Sequence, residues 1–194
     1  MPMLRSRVLL LENANQLLLS FPALVKRMEV KDPQFLPSLF QWIEQAEQLL
    51  LEHRLPACAA LSGIKARLLA PLHDHTTRSS RRKKQIQVAC DNLFVIQSSL
   101  QEAVAAQRQN IEQASELLAQ LFSLLAKSSA DNGNGLHYRQ NESVTAFAKR
   151  LWYLICHHEQ LSGSAVQLRS LLSDSDIELL IAQQVDLEMF SPEA

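Results

Sequence analysis

"QIQVACDNLFVIQSSLQEAVAAQRQNIEQASELLAQLFSLL", residues 85–125, is the stretch on which the fold turns. Apolar side chains recur along it at alternating steps of four and three, at Ile86, Cys90, Leu93, Leu100, Val104, Ile111, Ala114, Leu118, Leu121 and Leu125, and only Gln97 and Gln107 interrupt the series. Such spacing keeps one stripe on one side of an α-helix, whereas a strand would throw successive residues to opposite faces. From Leu72 to Asn132 there is neither Gly nor Pro. The stretch therefore predicts a helix over 81–127, roughly 70 Å long at 1.5 Å per residue, or two collinear helices meeting near "QRQN" at 107–110. Gln97 and Gln107 sit on the stripe itself. Either they are buried amides whose hydrogen bonds fix the register, or the stripe is partly exposed there.

Upstream, the punctuation is dense: Pro2, Pro22, Pro33, Pro37, Pro56 and Pro71 are six of the seven prolines. Because proline fits only the first turn of a helix, short helices are expected near 4–19, 22–30, 36–53 and 56–70. Downstream, "SSADNGNGLHYRQNES" at 128–143 reads as a long connection, with Asn132-Gly133 and Asn134-Gly135 suited to turns. Helix resumes at Ser143 along Phe147, Leu151, Leu154, His158, Leu161, Ala165, Leu168 and Leu172, with Gly163 as the expected break. "SDSD" at 173–176 supplies a cap for a last helix carrying Ile177, Leu180, Ile181 and Val185.

Composition agrees with this pattern. The 194 residues include 35 Leu, 21 Ala and 18 Gln against 9 Val, 8 Ile and 3 Thr, so helix formers far outnumber the β-branched residues that favour strands. The expected class is all-α: a helical bundle with a long antiparallel helical hairpin and a cluster of shorter N-terminal helices. We read 1–194 as one domain, made of a short-helix cluster (1–72), a basic joint (73–80) and the long hairpin with its C-terminal helix (81–194).

Cys58, Cys90 and Cys156 are odd in number and far apart, which argues against a disulfide framework and for a reducing compartment. At the N-terminus Glu12, Asn13 and Asn15 interrupt the apolar run, and no stretch is expected to reach the ~20 apolar residues that span a bilayer. The expected location is cytoplasmic, without membrane contact.

Charge is segregated. Between Ile64 and Lys84 seven cations (Lys65, Arg67, Arg78, Arg81, Arg82, Lys83, Lys84) face Asp74 alone, while from Ser170 onward six acids occur without Lys or Arg. The cations of 78–84 stand where their helix begins, against the positive end of its dipole. Arg78, Arg81, Arg82, Lys83 and Lys84 are accordingly read as a site for an anionic partner. That partner is a protein surface or a second copy of the chain. The alternative is a nucleic-acid-binding regulator, since clustered cations neutralise phosphates, although no aromatic residue lies between Trp42 and Phe94 to stack on bases.

Chemistry-bearing motifs are sparse. His73, Asp74 and His75 offer ligands for a helical metal-dependent hydrolase, with His53 and Asp91 in outer roles, but they follow Pro71 in an expected loop. "CHHE" at 156–159 places neighbouring side chains on different sides of a helix, with His158 expected in the core and His157 outside. Four glycines leave no phosphate-cradling loop, and Gly-x-Ser-x-Gly is absent. No catalytic residue, metal ligand, cofactor or small-molecule ligand is assigned. The sequence points to a non-catalytic protein acting by contact, as an adaptor, regulator or chaperone-like partner.

Overall fold

The computed structural model describes residues 6–73, 77–132, 137–139 and 141–190, and of residues 73 and 126–132 the backbone alone. Among these residues every regular element is helical: α1 (Arg7–Glu29), α2 (Phe35–Glu52), α3 (Cys58–Leu69), α4 (Arg78–Asn132), α5 (Val144–His157), α6 (Ser162–Leu171) and α7 (Asp174–Gln184), with short 3-10 turns at Ala70–His73 and Leu187–Phe190. The protein is an all-α helical bundle, as its periodicity implies.

Helix α4 is continuous through "QRQN", so the version with two jointed helices falls. Its 55 residues extend about 82 Å at 1.5 Å per residue. The stripe is buried at Leu93, Leu100, Val104, Ile111, Ala114, Leu118, Leu121 and Leu125. Near its start the inward line runs instead through Gln85, Ala89 and Ile96, leaving Ile86, Cys90 and Gln97 half-buried. A four-three repeat averages 3.5 residues, whereas a straight helix turns every 3.6, so the two drift apart by about 20° per heptad.

The chain divides into two compact units, one formed by Leu9–Ala106 and the other by the residues on either side of it, the second division falling at Gln107 inside the unbroken α4. In the first unit, Ala89, Leu93, Ile96, Leu100 and Val104 of α4 share a core with α1, α2 and α3. Phe21 meets Trp42 edge-on at 5.0 Å, and the Trp42 indole N–H donates to the Leu17 carbonyl at 2.8 Å.

Helix α1 corrects two expectations. Pro22 lies inside it and does not divide 4–19 from 22–30. The ring removes one helical hydrogen bond, but Pro22 is exposed, and the buried Phe21 and Leu24 beside it anchor both halves to the same core. An 18-residue window of this helix also has mean hydropathy 1.4, so by length and composition it is apolar enough to cross a membrane, because the leucine runs at 9–11 and 17–19 outweigh the polar residues between them. The helices of soluble cores pass the same test, and Leu10, Ala14, Phe21 and Leu24 are core residues here.

The connections after α1 and α2 use no glycine. Lys31 and Arg54 adopt left-handed backbone (φ 56° and 55°), and the next amides reach back to close the helix ends, Asp32 N–H to Arg27 O at 2.9 Å and Leu55 N–H to Leu50 O at 2.9 Å. These are Schellman ends with a side chain where glycine is usual.

In the second unit the returning arm is split into α5, α6 and α7. The break falls at 158–161, ahead of Gly163, which lies inside α6. His158 takes extended backbone as the C-cap of α5 and is exposed, so the core position expected for it is not realised: the buried line stops at Ile155 and resumes at Leu161. Ser143 and Ser173 cap α5 and α7, each accepting from the amide three residues on at 3.2 Å. Phe147 packs edge-on between Tyr138 (5.4 Å) and Phe190 (5.5 Å), and Tyr138 N–H donates to Phe190 O at 2.7 Å.

Candidate functional site

Thr77 opens α4, its hydroxyl accepting from Ser80 N–H at 3.3 Å, which starts the helix before 81 and puts the whole cation run on its first two turns. Arg81 is half-buried and donates from Nη1 to Leu72 O at 3.1 Å, while its Nε is enclosed with no hydrogen-bond partner among the described residues. One turn on, the buried Gln85 donates from Nε2 to Leu68 O at 3.0 Å. Both carbonyls belong to the C-terminal end of α3 and the 3-10 turn that prolongs it, where helix carbonyls lack intrahelical partners and the dipole is negative. The placement that is unfavourable for α4 is thus favourable for the end of α3. Arg82 donates from Nη2 to Pro33 O at 2.8 Å, 49 residues away in sequence, and ties the α1–α2 connection to the same place.

The five cations therefore divide. Arg81, half-buried, and Arg82, exposed, donate to backbone carbonyls, and Arg78, Lys83 and Lys84 are exposed at the head of the helix. Lys83 and Phe94 are eleven residues apart, which on a helix is about 20° of rotation and roughly 16 Å of rise, and Lys84 stands in the same relation to Val95. Phe94 is 79% exposed and Val95 43%. One side of α4 thus presents cations at its head and an unburied aromatic three turns further on. Phe94 escapes sequence reading because "LFVI" at 93–96 places apolar residues on every side of the helix. The available signal was its offset from the stripe through Leu93 and Leu100.

The other candidates do not assemble. Asp74 and His75, with the side chain of His73, lie outside the described residues. His53 is half-buried, and Asp91 is exposed and accepts from Gln87 at 2.9 Å. His157 stacks on Tyr153 at 4.0 Å and its Nδ1 contacts Tyr153 O, while His158 Nδ1 accepts from Gln160 N–H. Among the described residues no three His, Cys, Asp or Glu side chains gather to hold a metal. The cysteines are free and half-buried, and burial pushes the Cys90 and Cys156 thiols up, away from the reactive thiolate.

Comparison of the chain with family models, curated proteins and solved structures finds no match.

Proposed function

We propose that this is a non-catalytic, cytoplasmic helical-bundle protein that acts by contact with an acidic protein surface, docked through Lys83 with Phe94 as the apolar anchor. The observation that carries the reading is the exposed Phe94 on the same side of α4 as Lys83. A cation and an exposed aromatic on one side of a helix suit a protein contact, in which the ring supplies affinity and the charge steers. Three free, separate thiols suit the reducing cytoplasm. Arg81 and Arg82 hold the platform and are not counted among the docking groups.

The test compares wild type with Lys83→Gln/Phe94→Ser as bait in native lysate, with and without nuclease. A nuclease-resistant protein retained by wild type and lost by the variant is expected, with both baits melting within about 0.5 kcal/mol of one another because the changes are on the surface. Retention of the same protein by the variant would sink the proposal. Capture that nuclease abolishes would replace it with the nucleic-acid reading.

A further inference from the structure

The first unit brings four helix termini together: the ends of α1 and α3 and the starts of α2 and α4. Arg82 fastens the start of α4 to Pro33 O in the α1–α2 connection, and Arg81 and Gln85 fasten it to Leu72 O and Leu68 O at the end of α3. Cations that lie far apart in sequence are thereby collected near Arg78: Lys26 and Lys31 from the end of α1 and Arg67 from the last turn of α3. All four are exposed, and their side chains make no hydrogen bond or ion pair among the described residues. The acids at this end, among the described residues, are Glu29 and Asp32, and Asp32 pairs with Arg27 at 4.0 Å. A surplus of positive charge is left facing solvent. Beside it stand exposed aliphatic side chains, Val30 (66%), Leu72 (45%) and Leu69 (37%).

We infer that this end of the first unit docks peripherally on an anionic lipid bilayer. Anionic headgroups form a broad negative surface that meets cations from several elements at once, while Val30, Leu69 and Leu72 supply apolar groups that enter the headgroup boundary. The pairing matters, because a single weak signal gives only marginal membrane binding and two together anchor. The cytoplasmic leaflet is the negative one, so the contact agrees with a cytoplasmic protein while departing from the expectation of no membrane contact. Nucleic acid would engage the same cations but leave the aliphatic groups without a role. No exposed aromatic side chain stands at this end among the described residues, so base stacking has nothing to use. The inference requires neither Lys83 nor Phe94 and is independent of the proposed docking through α4.

The experiment mixes the full chain with sedimentable vesicles of phosphatidylcholine, alone or with an equal part of phosphatidylglycerol, and measures the bound fraction across lipid concentration. Binding to the mixed vesicles and not to phosphatidylcholine alone is expected, weakening as salt screens the exposed charges. A basic residue near an anionic leaflet strengthens partitioning about fivefold, so Lys31→Gln/Arg67→Gln is expected to weaken it roughly ten- to thirtyfold. Val30→Ser/Leu72→Ser is expected to weaken it about tenfold while leaving the salt dependence in place. Circular dichroism confirms that each variant is folded. Phe94→Ser leaves vesicle binding unchanged, so failure here and failure of the α4 proposal are told apart. No binding to the anionic vesicles, equal binding to phosphatidylcholine alone, or partitioning unmoved in the folded Lys31→Gln/Arg67→Gln variant would each overturn the inference. Vesicle binding that the serine variant keeps in full, together with tighter binding to duplex DNA, would assign this end to nucleic acid and overturn it equally.

Discussion

Lys31 and Arg54 carry a local conformational cost. Left-handed backbone crowds a Cβ against the carbonyl that follows, at roughly 1–2 kcal/mol per residue, and both positions hold it so that the amides of Asp32 and Leu55 can close α1 and α2. Lys31→Gly and Arg54→Gly are each expected to stabilise the protein by about 0.5–1 kcal/mol, the gain being trimmed by glycine's greater freedom in the unfolded chain. Urea titration reads this directly, and a fall in midpoint would show that the side chains carry contacts worth more than the strain. Asp176 is the opposite case. It is 1% exposed and accepts from the Ser6 hydroxyl, from Arg7 N–H at 3.2 Å and from the Ser173 hydroxyl at 3.0 Å, joining the start of α1 to the start of α7. Asp176→Ala strands these donors and is expected to cost about 2 kcal/mol, since hydrogen bonds to a charged group exceed neutral ones. Denaturant unfolding of the variant measures it, and a loss below about 0.5 kcal/mol would mean that water takes over the donors.

At the scale of elements, continuity of α4 and anchorage of α5 make separate demands. Leu100→Pro removes a helical hydrogen bond and drives the ring into the preceding turn at a fully buried position, so a loss of ~3 kcal/mol or more is expected with reduced ellipticity. An unchanged melting curve would contradict a packed, continuous helix there. Helix α5 is held at its start by Arg150, which donates to Glu142 through Nε at 3.0 Å and Nη2 at 2.6 Å and to His137 O at 2.8 Å, with its guanidinium 5.2 Å from the Phe147 ring centre. That side-chain hydrogen bonding, more than the accompanying charge attraction, holds the Glu142 carboxyl below the usual glutamate range. A lowered folded pKa contributes stability that is fully present above the unfolded value and is lost as pH falls through the folded one. Wild type is therefore expected to melt above Glu142→Gln at neutral pH, with the difference closing as pH falls through and below the glutamate range. A difference that persists unchanged in acid would assign the effect to shape and not to charge.

For the whole molecule, the cation run separates into structural and outward groups, and the two kinds of substitution should behave differently. Arg81→Gln is expected to destabilise by about 1–2 kcal/mol because it strips the Leu72 carbonyl of its charged donor, whereas Lys83→Gln should leave stability within about 0.5 kcal/mol and alter only association. Thermal melts of both variants decide this, and equal behaviour would mean that the division is wrong.

The sequence by itself determined that the protein is all-α, that α4 is long, and that Ser143 and the 173–176 segment begin helices, because periodicity, helix propensity and capping are local properties written within a few turns. It also singled out the cations of 78–84, but their charge alone carried no sign of which would be spent on backbone. Only the tertiary structure decided that Pro22 is tolerated inside a helix, that Gln85 faces inward and Phe94 outward, and that Arg82 reaches a carbonyl 49 residues away. The reason is that these outcomes depend on which distant surface meets a given side. Where apolar residues stand on every side of a helix, as at 93–96, local pattern is equally compatible with several inward faces, and the packing of α1, α2 and α3 against α4 chooses among them.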